Sequence, residues 1–178
     1  AQPLISSHGG GKMGFAFNGN IVNVNELRSR LKSSGESEAG CDAAVFAKYL
    51  AKSIGGDLTS GVEHCMRDVE GSFSAVGLKP NGELFAFRDP LGIRPLSIGG
   101  SEEGTVKAFS SETVGLDING LKLLSDVKPG EVVVLNKDGV EKRERLVKND
   151  RTAFCAFEYA YFARPDSIFN GRYVYSVR

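Results

Sequence analysis

The chain lacks tryptophan, and it contains only two histidines, three cysteines and no excess of either charge. Two histidines are too few for a His-rich metal site, and an odd number of cysteines argues against a disulfide framework and fits a reducing cytoplasm. Because 22 basic residues balance 22 acidic ones, no positive surplus is available to hold phosphate backbones. No apolar run approaches the roughly 20 residues of a membrane-spanning helix, and no signal peptide is visible. These absences predict a cytoplasmic protein that binds neither nucleic acid nor a membrane.

The residues that are present indicate one globular domain. The 178 residues are 41% hydrophobic and 25% charged, a composition that suits a single sizeable core. The chain begins at Ala1 without an initiator methionine and ends at Arg178, directly after a strand-like run. Both ends look cut, and we expect these residues to be a fragment of a longer protein.

Helical spacing dominates the first part of the chain. It predicts a helix over 23–32 that opens with a capping box of Asn23 and Glu26. A second helix is expected to begin at Asp42, whose carboxylate would cap it, and a third is expected over 58–69.

A strand pattern appears briefly before these helices and takes over after Gly71. The expected strands are Met13–Phe17, Ser72–Leu78, Glu83–Arg88, Pro95–Ile98, Thr105–Phe109, Glu131–Leu135, Val140–Leu146 and Ala153–Phe162. The first of them would be broken by Asn18-Gly19-Asn20, and the polar residues 147–152 are the best linker candidate. Helices followed by a meander of antiparallel strands predict a layered α+β fold.

Asn18 and Gly19 are the first candidates for chemistry. A glycine leaves its N–H group open to close approach by a ligand, and the neighbouring asparagine amide adds a second donor. Two such donors can stabilise the oxyanion that forms when an amide carbon is attacked. Taken alone, however, this dipeptide is more often a tight turn, so both interpretations stay open at this point.

Acidic residues at two further positions admit a structural and a functional interpretation. Asp42 can hold the α-ammonium group of an amino acid, although a carboxylate at a helix start more commonly satisfies backbone donors. Arg88 and Asp89 open a turn-rich stretch that ends at Leu96, where such side chains usually pair with backbone groups or with each other. We interpret this stretch as a structural corner at the edge of a possible site.

The cysteines and one glycine run carry weaker signals. Cys155 lies in a strand-like run, where a lone cysteine is usually a small core residue, and no nearby cysteine has the spacing that a cluster needs. Cys41 and Cys65 lie in or beside helices and are interpreted as structural or incidental. Gly9-Gly10-Gly11-Lys12 lacks the Walker spacing of a phosphate loop and is predicted to be a flexible hairpin tip.

Taken together, these stretches resemble the class II glutamine amidotransferases and, among them, the amidophosphoribosyltransferase family. The matching stretches are Asn18–Asn23 with the helix that follows, Asp42, Arg88–Leu96, Ser111-Glu112, Asp126–Glu131 and Phe157–Ser167. The last of these is the most specific, because it marks the passage into the phosphoribosyltransferase half of that family. The resemblance covers essentially the whole chain.

The resemblance implies an N-terminal-nucleophile hydrolase fold, a sandwich of antiparallel sheets with helices, incomplete here at its N-terminus. In that family an N-terminal cysteine attacks the side-chain amide of glutamine, with its own α-amine as the base. Asn18 and Gly19 would then donate to the oxyanion, and Asp42 would bind the ammonium group of the substrate. The ammonia would join phosphoribosyl pyrophosphate in a second, Mg²⁺-dependent domain, and the phosphoribosylamine that forms is the first product of purine nucleotide (IMP) synthesis.

The resemblance also carries expectations about the rest of the protein. It assigns 1–150 to the glutamine amidotransferase domain and 151–178 to the start of the phosphoribosyltransferase domain. Cys155 matches one ligand of the [4Fe-4S] cluster that some members carry, whose other ligands would lie beyond residue 178. The full-length protein is expected to be a homo-oligomeric cytoplasmic pentosyltransferase.

The sequence departs from the family pattern at several positions. Residue 1 is alanine, and the arginine that binds the substrate carboxylate would lie upstream, so this chain alone is not expected to hydrolyse glutamine. Phe17 stands where many members have histidine, and Ala43-Ala44 replaces the usual Ser/Thr-Glu. Two alternatives stay open: another class II enzyme, against which Phe157–Ser167 argues, and a non-catalytic binding domain that has lost its nucleophile.

Overall fold

A computed structural model describes residues 2–8, 11–35, 40–139 and 141–178 of the chain. Its strands are β1 (Leu4–His8), β2 (Gly11–Ile21), β3 (Gly71–Leu78), β4 (Leu84–Arg88), β5 (Ser97–Gly100), β6 (Lys107–Ser110), β7 (Lys122–Asp126), β8 (Glu131–Leu135), β9 (Glu141–Arg145), β10 (Ile168–Phe169) and β11 (Arg172–Tyr173). Its helices are α1 (Val24–Ser33), α2 (Asp42–Ile54), α3 (Leu58–Asp68), α4 (Thr113–Asp117) and α5 (Val174–Val177), and a π-helical turn spans Glu158–Phe162. No helix in these ranges is both long enough and apolar enough to cross a bilayer.

The main sheet has six antiparallel strands in the spatial order β1-β2-β3-β4-β8-β9. Alternate side chains of β2, among them Met13, Phe15 and Phe17, are buried on the face that α1, α2 and α3 cover. The ring of Phe46 on α2 lies 4.8 Å from that of Phe17 and 5.3 Å from that of Phe73 on β3, measured between centroids. This aromatic contact fixes the helical layer on the sheet.

A three-stranded sheet in the order β6-β5-β7 covers part of the opposite face. Ile98 on β5 packs in a second buried cluster with Ala86 and Val133 of the main sheet. On the far side of β5, a Cβ atom on Gly99 would lie 2.7 Å from a methyl group of Leu116 on α4 and 2.9 Å from the backbone carbonyl oxygen of Lys122 on β7. The leucine side chain can shift but the backbone oxygen cannot, so this close packing favours glycine. The layers are therefore helix, sheet, sheet, helix, and the predicted α+β sandwich is confirmed.

Three local predictions at the first helices are wrong. Strand β2 does not break at Asn18-Gly19-Asn20, because its pairing with β3 continues through these residues to Ile21. Asn23 does precede α1, but its side chain donates to the Asp68 carbonyl (2.9 Å), and Glu26 pairs with an arginine of its own helix instead of closing a capping box. The residue that caps α2 is Cys41, and Asp42 lies in the first turn.

The second half of the fold contains a tight turn at Lys128–Glu131 and corrects two predictions. Gly130 has a φ of +68°, and the amide of Glu131 donates to the carbonyl of Lys128 (3.0 Å), as a type II turn requires. The linker prediction fails at its start, since Val147 packs against the helix-side core. Residues 153–162 are not a strand, because their first amides bond to the 91–93 loop and a π-helical turn follows.

Candidate active site

Asn18 and Gly19 are neighbours near the end of β2, and their positions face opposite sides of the main sheet. Phe15 and Phe17 point toward the helices and are buried, so Gly19 falls on the helix side. Asn18 falls on the side of the three-stranded sheet. The interpretation of this dipeptide as a tight turn is therefore wrong.

The backbone amide of Gly19 points to the edge of β2 that faces away from β3. Two residues earlier, the N–H of Phe17 donates to the Oε1 atom of Gln2 (2.5 Å), and the Nε2 atom of Gln2 donates to the carbonyl of Phe17 (2.8 Å). Gln2 lies on the β1 side of β2. Alternate residues of a strand direct their amides to the same side. Because β1 pairs with β2 only as far as Phe15, no strand in the described ranges covers the Gly19 amide on that side.

Gly19 also has a packing role that is independent of any ligand. A Cβ atom at this position would lie 2.1 Å from the carbonyl oxygen of Ser72 and 2.8 Å from the Cα atom of Phe73. Both contacts are with the backbone of β3, which cannot yield as a flexible side chain would. Only glycine allows β2 and β3 to approach each other this closely.

The side chain of Asn18 borders a cavity of about 350 Å³ between the two sheets. The residues around it are Gln2, Ala16, Phe17, Asn18, Ser74, Val76, Leu96, Phe109, Ser110 and Ser111. Asn18 is half-buried, and its carboxamide makes no hydrogen bond to any residue that the structure describes. That group is therefore free of hydrogen bonds to the described part of the fold.

Asp42 does not border the Asn18 cavity. It is half-buried in the first turn of α2, where its Oδ1 atom accepts a hydrogen bond from the amide of Ala43 (2.8 Å). Since α2 packs on the helix side of the sheet, Asp42 lies on the same side of the sheet as Gly19. The structure thus places the predicted substrate-binding carboxylate and the Asn18 carboxamide on different sides of β2.

Arg88, at the end of β4, is the centre of a buried turn. Its guanidinium group donates to the carbonyl oxygens of Gly92 (2.6 Å), Arg94 (2.5 Å) and Val127 (3.0 Å). Desolvation by burial lowers the pKa of Arg88 from its usual value. All three hydrogen bonds go to backbone carbonyl groups, and the guanidinium also lies over the ring of Phe154, so the prediction of a structural corner is confirmed.

Asp89 supplies the carboxylate of this corner. The residue is fully buried, and its carboxylate accepts hydrogen bonds from the amides of Leu91 (2.9 Å), Ile93 (2.9 Å) and Phe73 (3.3 Å). Burial raises the pKa of Asp89, and these amide donors act in the opposite direction. The corner therefore holds β3 as well as its own loop.

The C-terminal segment packs onto this corner and onto α4. Arg94 forms an ion pair with the almost fully buried Glu158 (2.8 Å) and lies over the ring of Phe162. Glu112, just before α4, accepts hydrogen bonds through one oxygen from the amide of Arg164 (2.9 Å) and the hydroxyl of Ser167 (3.0 Å). The assignment of 151–178 to a second domain stays a prediction.

Two serines next to Glu112 border the candidate site, although no sequence pattern pointed to them. Ser110 and Ser111 border the Asn18 cavity and also a neighbouring cavity of about 340 Å³ that reaches Arg164. In the sequence, Ser111 and Glu112 stood out only as part of the family match. The packing of the two sheets brings these serines to the same cavity as Asn18, and no local sequence pattern predicts that.

The three cysteines occupy separate environments. Cys155 is half-buried beside the corner, Cys65 is buried in α3, and Cys41 is exposed. Burial raises the pKa of the Cys65 thiol far above its usual value. Within the described ranges no group of three or more His, Cys, Asp or Glu residues could hold a metal ion. Residues 9 and 10 of the predicted hairpin tip lie outside the described residues.

A family model described as a glutamine amidotransferase domain matches residues 1–117. The chain belongs to the glutamine amidotransferase family. Within the family it is similar to the amidophosphoribosyltransferase of Methanothermobacter thermautotrophicus, with 38% identity over 100% of this chain and 37% of that protein. The enzyme of that name from Bacillus subtilis is 34% identical over 99% of this chain and 37% of its own length.

Two solved structures support the same glutamine amidotransferase assignment. One is described as the allosteric regulatory enzyme of purine biosynthesis, with a TM-score of 0.87 and 33% identity over 98% of this chain and 37% of that one. The other is the glutamine phosphoribosylpyrophosphate amidotransferase from B. subtilis complexed with ADP and GMP, with a TM-score of 0.88 and 33% identity over 98% and 38%. The predicted N-terminal-nucleophile hydrolase type of fold is confirmed, and the chain spans just over a third of the length of these relatives.

Proposed function

We propose that this chain is the glutaminase part of an amidophosphoribosyltransferase, which releases ammonia from glutamine for transfer to phosphoribosyl pyrophosphate. The observation that carries the proposal is the pair of donors on β2. The Gly19 amide lies in the plane of the sheet at an uncovered edge, while the Asn18 carboxamide stands out of that plane toward a cavity. An oxygen at this edge, on the cavity side, can accept from both.

The chemistry follows from that position. A thiolate adds to the side-chain carbonyl carbon of glutamine, and the carbonyl electron pair moves onto oxygen, where Asn18 and Gly19 stabilise the charge. The carbon–nitrogen bond then breaks, the nitrogen takes up a proton and leaves as ammonia, and water converts the thioester to glutamate and free thiol. In this proposal an N-terminal cysteine of the longer protein supplies the thiolate, and Asp42 pairs with the ammonium group of the substrate.

Replacing Asn18 by alanine in the longer protein tests this assignment. The glutamine-dependent rate should fall by about 10²- to 10³-fold, as expected for the loss of one oxyanion donor, while ammonia-dependent synthesis continues. Asn20→Ala is the matched control, because it removes the same side chain from the same strand at a position that does not border the cavity. A parallel loss of both activities, or an equal loss in the control, would contradict the oxyanion role.

We also propose that Cys155 supplies one thiolate ligand to an iron–sulfur cluster in the longer protein. Its half-buried position beside the corner supports this proposal, but the described residues contain no complete ligand group. The remaining ligands would therefore come from elsewhere in the protein. Iron and sulfide analysis after anaerobic purification tests the proposal, and the absence of both elements would remove Cys155 from the site.

The remaining proposals concern the whole protein. Mg²⁺ would assist transfer to phosphoribosyl pyrophosphate in a second domain. Homo-oligomerisation and a cytoplasmic location complete the proposed setting. The exposed aromatic side chains of Phe157, Tyr161 and Tyr175, 59%, 65% and 63% exposed, support contact of the C-terminal segment with further protein.

A further inference from the structure

Two adjacent rows of residues cross strands β2, β3 and β4 at the candidate site. The rows are Asn18, Ser74 and Arg88 in one, and Gly19, Phe73 and Asp89 in the other. Each row thus begins at a proposed oxyanion donor and ends at a member of the buried corner. This arrangement suggests that the corner acts on the donors through β3.

Asp89 holds both backbone polar groups of Phe73. Its own amide donates to the carbonyl of Phe73 (2.8 Å), and its carboxylate accepts from the amide of Phe73 (3.3 Å). The same carboxylate is held by the amides of Leu91 and Ile93, so it cannot move without disturbing the loop. The position of Phe73 is therefore set from the side opposite β2.

Phe73 in turn sets the position of Gly19. The Gly19 amide points away from β3, so the two residues form a close pair without mutual backbone hydrogen bonds. The contact is so tight that a Cβ atom on Gly19 would lie 2.8 Å from the Cα atom of Phe73. Any shift of β3 at Phe73 must therefore change the place or direction of the Gly19 amide.

We propose that Asp89 is a positioning residue of the oxyanion site, which fixes Phe73 and through it the Gly19 amide. This inference rests on the proposed function of Gly19 as a donor. Asp89 itself touches no substrate. It acts on catalysis only through the position of the Gly19 amide, which matters most when negative charge forms on the substrate oxygen. The inference gives the buried corner a role in catalysis as well as in the fold.

Asp89→Asn in the longer protein tests the inference, because the amide side chain keeps the volume but loses part of the capacity to accept hydrogen bonds. The kcat for glutamine hydrolysis should fall by about 10- to 100-fold, with KM for glutamine changed little and ammonia-dependent synthesis retained. Hydrogen exchange should also become faster in the peptide that contains Phe73. Asp57→Ala is the control, because it removes an exposed N-cap of α3 away from the corner, and it should leave both kcat and KM for glutamine unchanged.

Several outcomes would overturn the inference. An unchanged kcat in folded Asp89→Asn protein, unchanged exchange at Phe73, or a parallel loss of both synthetic activities would each do so. If neither Asp89→Asn nor Asp89→Glu folds, a purely structural role explains the buried carboxylate and the inference fails. If Asn18→Ala keeps full glutamine hydrolysis, the proposed function itself is wrong. If Asn18→Ala is impaired but Asp89→Asn is not, the proposed function stands and only this inference is wrong.

Discussion

Asp68, the last residue of α3, connects the three helices that cover the main sheet, and its replacement by alanine tests how that layer is held. Its carboxylate accepts hydrogen bonds from the hydroxyl of Tyr49 on α2 (2.5 Å) and the guanidinium of Arg30 on α1 (2.6 Å). The Nε2 atom of His64, also on α3, lies 3.3 Å from the Oδ2 atom of Asp68. Asp68→Ala therefore removes the contact that joins all three helices.

The expected cost can be estimated contact by contact. The Tyr49 hydroxyl belongs to a residue only 6% exposed, and losing its bond to a charged acceptor costs about 2 kcal/mol. The bond from the half-exposed Arg30 contributes little because solvent screens it, and relief of a negative charge at a helix C-terminus offsets that contribution. The net loss of unfolding free energy is about 2 kcal/mol, or about 4–8 °C in Tm for a chain of this length.

Urea unfolding measures this loss, with circular dichroism as the signal because the chain has no tryptophan. Glu63→Ala is the matched control, since Glu63 also forms an ion pair on α3 but with the exposed Arg67, and it should change stability by less than about 0.5 kcal/mol. Burial and Asp68 together raise the pKa of Tyr49 to about 12, so the hydroxyl stays a donor at neutral pH. An Asp68→Ala variant as stable as the control would refute the reasoning.

The pH dependence gives a second test of the same contact. The Tyr49 hydrogen bond is the largest cause that holds the pKa of Asp68 below its usual value. For a carboxylate with a lowered pKa in the folded state, the stabilisation is present above the unfolded pKa of about 3.9 and is lost as the pH falls through the folded pKa. The difference between the wild-type chain and Asp68→Ala should therefore shrink below about pH 4, and a constant difference would contradict the assignment.

Two further predictions concern the corner and the thiols. Arg94→Met leaves the carboxylate of Glu158 buried without its partner, which should cost roughly 3 kcal/mol at pH 7. Burial raises the pKa of Glu158, and Arg94 opposes this shift. A carboxyl group with a raised pKa in the folded state contributes stability below the pKa of the unfolded state and loses it as the pH rises. The loss of unfolding free energy in Arg94→Met, measured by urea unfolding, should therefore be smaller at pH 5 than at pH 7. Alkylation of the native protein, followed by mass spectrometry, should modify exposed Cys41 quickly and buried Cys65 slowly; equal rates would contradict the packing of α3.

The sequence predicted regular elements well where one face of an element is apolar. Helical spacing predicted α2, whose Val45, Phe46, Tyr49 and Leu50 are buried, and alternation predicted β3 and β4. Both signals are local, because each depends on which side of one element meets the core.

Other features could not be predicted because they depend on contacts between residues far apart in the sequence. Asn23 was expected to cap α1, yet its side chain bonds to backbone groups of Asp68 and Glu70, 45 and 47 residues away. The run 153–162 has the composition of a strand, but its amides bond to the loop at Leu91 and Ile93. Likewise, Ser110 and Ser111 join the Asn18 cavity only because two sheets pack face to face.

The dipeptide at the centre of the candidate site shows how packing and function can be separated. In a strand the backbone N–H lies in the plane of the sheet, whereas the neighbouring side chain stands perpendicular to it, so consecutive residues present donors in two directions. The contact with β3 is sufficient to require glycine at position 19, so its presence alone does not argue for a ligand. Asn18 is different, because its half-buried carboxamide bonds to no described residue and faces a cavity. Packing therefore leaves this polar group unexplained, and an acceptor on a bound substrate would account for it.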